Sequence, residues 1–151
     1  MQTKKFIDEF FRDITSLGGI YVYGIIALVL FIVGQNKLFF QMLFGAFFSY
    51  IIAGAIRLIY FKHRPSKQQF TNIIERIDAS SFPSIHAARA SFLVIIFSSA
   101  LNSIIGNIFL FIVGIFICYS RIYLKKHDYA DIFGGIIFGI LLAYLSFILI
   151  A

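Results

Sequence analysis

SRIYLKKHDYAD, residues 120–131, is a dense polar island between two long apolar runs. Arg121 and His127 are its candidates for phosphate chemistry, and Asp131 closes it with a carboxylate. His127 and Asp131 are four residues apart, so on a helix they share one face. A histidine held by a carboxylate through one ring nitrogen keeps the other nitrogen for chemistry. Taken alone, the stretch reads more simply as a basic loop between membrane helices. The rest of the chain decides between the two.

The 151 residues are 60% hydrophobic and only 13% charged, with 20 Phe and no Trp. A mean hydropathy of +0.92 goes with that composition, which lies well above the apolar fraction of a soluble domain. The length suits one domain, here a single membrane domain over 1–151. Cys118, the single cysteine, lies inside an apolar run, so neither a disulfide nor a thiolate metal cluster is available. The net charge is +6. In a soluble chain that charge points to nucleic acid. Beside long apolar runs it points to anionic lipid or phosphate, with no nucleic-acid partner expected.

Outward from the island, the apolar runs set the architecture. Residues 1–13 are charged and amphipathic, with Phe6, Ile7, Phe10 and Phe11 on one helical face, and read as a short interfacial helix. Ile14–Asn36 supplies 23 uncharged positions, enough to cross a bilayer core and too long for a signal peptide. Lys37 interrupts, and 38–56 supplies 19 more, with Gly45, Ala46, Ser49, Ala53 and Gly54 as small residues for close packing. Residues 62–85 are the longest polar section, and within it the spacing of Phe70, Ile73, Ile74 and Ile77 predicts a short surface helix over 69–78. A third span is expected from about Ser84 to Leu101, capped by Ser80 or Ser81 with Pro83 in its first turn. A fourth fills 104–120 and a fifth runs from Asp131 to Ala151. The fold class is therefore all-α, an integral membrane bundle of about five spans.

All the polar groups of interest then emerge at one side: after span two, before span three, after span four and before span five. Lys4, Lys5, Arg12, Lys62, Lys67, Arg76, Lys125 and Lys126 lie on that side, against Lys37 alone on the other. The positive-inside rule places the polar side toward the cytoplasm and the C-terminus outside it. A prokaryotic cytoplasmic membrane is the expected location.

Three clusters abut span ends on that common side. The first is Arg57, six residues, then Arg64-Pro65; the second is Pro83-Ser84-Ile85-His86; the third is Ser120-Arg121, five residues, His127, three more, Asp131. Three arginines offer fixed, always protonated donor forks that match phosphate oxygens. A helix start near Ser84 adds backbone N–H groups and a favourable dipole. Two histidines suit a two-step transfer, one attacking phosphorus and one protonating the departing oxygen. Arg89, three residues beyond His86, is a candidate extension of the basic site.

In order and spacing these clusters resemble the type 2 phosphatidic acid phosphatase superfamily, in its membrane lipid phosphatase branch. That family's pattern is Lys-x6-Arg-Pro, then Pro-Ser-Gly-His, then Ser-Arg-x5-His-x3-Asp. The third part is matched completely; Ile85 replaces the glycine of the second and Arg57 the lysine of the first. The motifs cover 57–131, and the resemblance implies a four-helix catalytic core within 38–151, with the first span packed outside it. It implies that His127 is the nucleophile of a phosphohistidine intermediate, Asp131 its orienter and His86 the general acid and then base. Arg57, Arg64, Arg121 and Ser84 would bind the phosphoryl group. No metal and no other cofactor is expected for this reaction. The substrate would be a membrane lipid phosphate: phosphatidate-like, phosphatidylglycerophosphate, or a polyprenyl phosphate or diphosphate. The alternative is a catalytically inactive, PAP2-like lipid-binding or membrane-structural protein, for which Ile85 is the best support, since glycine adopts geometries that isoleucine does not. The sequence leaves the oligomeric state open.

Overall fold

Inside a bilayer an apolar run has one local way to satisfy its own backbone polar groups, the α-helix. The computed structural model describes residues 2–66 and 68–150. Met1, Lys67, counted above among the basic residues, and Ala151, the expected end of the fifth span, lie outside the described residues. Among the described residues seven helices form: α1 Gln2–Ser16, α2 Ile20–Ile32, α3 Asn36–Ile59, α4 Ile73–Ala79, α5 Ile85–Ala100, α6 Ile104–Tyr123 and α7 Tyr129–Leu149. Extended pairing among the described residues is confined to an isolated bridge between His63 and Ser80.

α5 is the centre of the bundle. It packs against α3, α6 and α7, while α2 lies along α3 and α1 along α6. Three helices, α3, α6 and α7, are long and apolar enough to cross a membrane, and α1 with α2 makes a fourth as a bent pair. The fifth expected span, α5, has 16 residues, about 24 Å at 1.5 Å per residue and short of a hydrocarbon core of about 30 Å. Its surroundings compensate: α3, α6 and α7 enclose it, and it buries Ala87, Ala88, Ala90, Phe92 and Ile96.

The expected single span over 14–36 is instead two helices, bent by 47°. The break falls at Leu17-Gly18-Gly19, where Gly19 is extended (φ −78°, ψ 158°) and caps α2. Two consecutive glycines are weak helix formers, and here they also bring the chain against the core. A Cβ on Gly18 would lie 2.9 Å from Ile117 and 3.2 Å from the His86 ring. The amphipathic N-terminal segment runs on to Ser16 as α1, and its apolar face seats on α6: Phe11 packs on Tyr123 and Tyr119, with ring centroids at 4.4 and 5.5 Å.

Two further boundaries move. The surface helix expected over 69–78 begins at Ile73, because Asn72 caps it by accepting from the Glu75 N–H, while Glu75 accepts from Thr71. Ser84, not Ser80 or Ser81, caps α5, accepting from the Ala87 N–H at 3.4 Å. Pro83 therefore precedes the cap and does not occupy the first turn. Ser80 and Ser81 are committed elsewhere: Ser80 Oγ accepts from the Lys62 N–H, and the Ser81 N–H donates to the Lys62 carbonyl at 2.8 Å. These bonds tie the strand-like 62–64 segment to the approach to α5.

Small residues bring α7 onto α5. A Cβ on Gly135 would run into the Ser84 carbonyl, and one on Gly139 into the Ala88 carbonyl and Ser91 Oγ. The Ser91 hydroxyl bridges the pair, within 3.2 Å of the Ile136 carbonyl as well as its own helix's Ala87 and Ala88 carbonyls. Close backbone approach of this kind is how helices associate where lipid removes the hydrophobic drive. The consequence is positional. The first turns of α5 and α7 are held side by side, and the Ser84 N–H donates to the Asp131 carbonyl at 3.1 Å.

Candidate active site

His127 lies in the short α6–α7 connection, where its backbone N–H donates to the Arg121 carbonyl at 3.2 Å. Asp128 then starts α7 through a capping box: Asp128 Oδ1 accepts from the Asp131 N–H, and Asp131 Oδ2 accepts from the Asp128 N–H at 3.1 Å. The box fixes the Asp131 side chain with Oδ2 3.5 Å from His127 Nδ1. His127 is 3% exposed and Asp131 fully buried. Nδ1 faces that oxygen at the limit of hydrogen-bond reach and makes no well-aligned hydrogen bond to it; Nε2 lies on the opposite edge of the ring.

The other carboxylate oxygen has a partner the sequence reading passed over. Lys62 Nζ lies 2.8 Å from Asp131 Oδ1 and 2.7 Å from Asp128 Oδ2. Lys62 was counted above only as a basic residue of the polar side. Its signal was alternation: on an extended segment, side chains two apart share a face. Phe61 and His63 pack edge to face with ring centroids at 4.8 Å, which puts Lys62 and Arg64 on the other face.

The remaining sequence candidates come from four different elements. Arg64 donates to the Asp78 carbonyl and to Gln68 Oε1, with Nε buried and unpartnered. Arg121, in the last turn of α6, donates from Nη1 to Thr15 Oγ1 at 2.9 Å and also leaves Nε buried without a partner. Arg57, at the end of α3, spends Nη2 on the Pro83 carbonyl at 2.9 Å and Nη1 on the Ile77 carbonyl at 3.3 Å. It thereby braces the chain that leads into Ser84. Ser84 itself is fully buried.

His86 stands in the first turn of α5, and the charged groups that act on it are Arg121, then Arg89, His127 and Arg64. The convergence is thus seen from His86: groups drawn from α5, α6, the 62–64 segment and the α6–α7 connection share one electrostatic neighbourhood. Ile85, beside it, occupies an ordinary helical position, and among the described residues the one non-glycine with positive φ is Lys125, at 54°. The turn at this motif needs no left-handed backbone.

The local electrostatics favour a neutral His127. Burial pushes its imidazole below the ordinary histidine value; Asp131 pulls the other way, and Arg121 and Arg64 reinforce the burial. Burial also lowers Arg64, against Asp78 and Asp131. Burial acts to lower Lys62 too, but its bonds to Asp128 and Asp131 outweigh it and hold the ammonium above the ordinary lysine value. A neutral, carboxylate-oriented imidazole among partly unpartnered guanidinium donors is suited to attack on an oxyanion such as a phosphoryl group. Among the described residues no group of three or more His, Cys, Asp or Glu is placed to hold a metal ion.

The sequence profile of the PAP2 superfamily matches residues 38–151. The chain belongs to the PAP2 superfamily. Its structure is similar to the crystal structure of Aquifex aeolicus LpxE, with a TM-score of 0.78 and 24% sequence identity. That similarity covers 94% of this chain and 86% of the other, so it extends N-terminal of residue 38. A comparison with curated proteins gave no match. The all-helical architecture expected of a PAP2 protein is the one found, and its apolar helices are those of a membrane protein.

Proposed function

We propose that this protein is an integral-membrane lipid phosphatase working through a phosphohistidine. The observation that carries the reading is the convergence of His86, Arg64 and Arg121 on His127, itself oriented by Asp131 at 3.5 Å. PAP2 membership supports the reaction class. His127 Nε2 attacks phosphorus, forming the N–P bond as the ester or anhydride P–O bond breaks. His86, protonated once the anionic phosphate is bound beside it and offsets the surrounding guanidinium charge, gives that proton to the departing oxygen. In the second step His86 takes a proton from water, whose oxygen attacks the phosphohistidine and releases orthophosphate and neutral His127. Arg64 and Arg121 neutralise the equatorial oxygens, where preorganised donors contribute most. Arg57 and Ser84 shape the remaining wall. Lys62 is a positioning residue: it holds Asp131, and Asp131 holds His127.

The substrate is a lipid phosphomonoester or diphosphate, with its head group at the polar end of the bundle and its chains in the bilayer. The site faces the cytoplasm, supported by Lys4, Lys5, Arg12, Lys62, Arg76, Lys125 and Lys126 at that end against Lys37 at the other. Phosphate release from a panel of lipid phosphates, with His127→Ala in parallel, tests the proposal. Release by the wild type that the variant abolishes supports it. No release from any lipid in the panel contradicts it and favours the non-catalytic lipid-binding alternative.

A further inference from the structure

Arg89 is a guanidinium with nowhere to spend its charge. It lies in α5, the short apolar helix enclosed by α3, α6 and α7, is 2% exposed, and its Nε and Nη2 are buried without partners. Among the described residues no carboxylate lies within ion-pair distance of it. Its neighbours are aromatic: the Tyr50 ring centroid is 4.4 Å from its central carbon and that of Tyr23 is 5.9 Å away. Ring faces steady a cation but accept no N–H bond from the guanidinium edge. A buried, unpaired charge costs several kcal/mol, and inside an apolar helical bundle such a residue marks a candidate ligand site.

Its position says which ligand. Arg89 follows His86 by three residues on α5, on the same helical face and about 4.5 Å farther along the axis, into the bilayer. With the scissile phosphorus at His127 and the departing oxygen at His86, the next atom of the substrate lies on the Arg89 side. In a lipid monophosphate that atom is carbon, which leaves the guanidinium unpaired. In a lipid diphosphate it is a second phosphorus carrying anionic oxygens.

We infer that Arg89 is an anion subsite for the second phosphate of a lipid diphosphate, so that the substrate of this enzyme is the diphosphate in preference to the monophosphate. The inference rests on the phosphatase reading and narrows it. The terminal phosphoryl group passes to His127 Nε2 as the P–O–P bond breaks on its side. His86 protonates the bridging oxygen, which leaves as a terminal oxygen of the lipid monophosphate. Water then releases orthophosphate. Arg89 holds the retained phosphate through both the ground and transition states.

The test compares the diphosphate and monophosphate of one prenol in mixed micelles, with wild type, Arg89→Gln and Arg89→Lys. The wild type is expected to prefer the diphosphate. Arg89→Gln should lower the diphosphate-to-monophosphate ratio of kcat/KM about 10- to 100-fold, as loss of a charged hydrogen-bond donor does, and Arg89→Lys should restore part of it. An unchanged ratio in Arg89→Gln, or a wild type that prefers the monophosphate, overturns the inference. Thermal unfolding of the full-length protein in detergent gives a readout independent of turnover. Inorganic pyrophosphate should raise the wild-type Tm more than orthophosphate does, and Arg89→Gln should erase that difference. If wild type hydrolyses neither lipid while Arg89→Gln still erases it, the phosphatase reading falls and the subsite stands. If hydrolysis is normal and the pyrophosphate difference survives the substitution, the subsite falls and the phosphatase reading stands.

Discussion

Asp131 uses both carboxylate oxygens, Oδ1 on Lys62 and Oδ2 on the Asp128 N–H and the His127 ring. Replacing it with Asn removes the charge that stabilises a developing imidazolium, and Asp131→Asn should lower kcat by about two to four orders of magnitude, read by phosphate release. Lys62 makes a sharper prediction. Burial already holds His127 below the ordinary histidine value, so its imidazole stays neutral into the acid side of the ordinary histidine range. The acid limb of its kcat/KM profile should lie correspondingly low. With Lys62 gone, Asp131 loses the ammonium in direct contact with it, the imidazolium is favoured, and the His127 pKa rises. Lys62→Met should therefore move the acid limb to higher pH, by about one unit, losing activity at pH 6 before it does at pH 8, while Lys62→Arg should keep the limb in place. An acid limb that stays put in Lys62→Met would remove Lys62 from the relay. That His127, Asp131, His86 and Arg64 are site candidates was legible in the sequence, because their spacing within each cluster is local. The Lys62–Asp131 pair was not, since 69 residues separate its members and only the folded chain joins them.

At the scale of the helix, the α5–α7 seam is what holds the two histidines together. A β-branched side chain at Gly139 meets the Ala88 carbonyl and Ser91 Oγ, and overpacking against backbone costs about 1–3 kcal/mol. Gly139→Val should lower the Tm in detergent and depress activity with it, since Ser84 and Asp131 are drawn apart. Gly54 faces open space, with no atom within 4 Å of a built Cβ, so Gly54→Ala should be neutral or stabilising, by up to about 1 kcal/mol. Equal losses from both substitutions would show that the seam has no special place. The sequence marked Gly54 as a small residue at a packing position and had no way to tell whether it packs, because that depends on which face meets a neighbour. The α1–α2 break illustrates the same limit. Hydropathy sees 23 uncharged residues over 14–36, whereas the bend at Gly18-Gly19 follows from the approach of Gly18 to His86 and Ile117.

Across the whole molecule, the polar end gathers Arg57, the 62–64 segment, α4, the start of α5 and the α6–α7 connection, while Lys37 marks the opposite end of α3. The hydropathy pattern was enough to place these on one side, though it overstated α5 as an ordinary span. That helix is short because it is enclosed by protein, and a window average does not report enclosure. In intact cells with Cys118 replaced, Tyr129→Cys should react only with a membrane-permeant thiol reagent and Lys37→Cys with an impermeant one; the reverse pattern would put the site on the outer face. The most direct test of the central claim is to trap the phosphoryl-enzyme during turnover with a lipid phosphate labelled at its terminal phosphorus. The account predicts an acid-labile label on the peptide containing His127, absent from His127→Ala and, in the wild type, discharged to orthophosphate on further incubation. Hydrolysis that proceeds with no label on His127, or with the label on another residue, would contradict it.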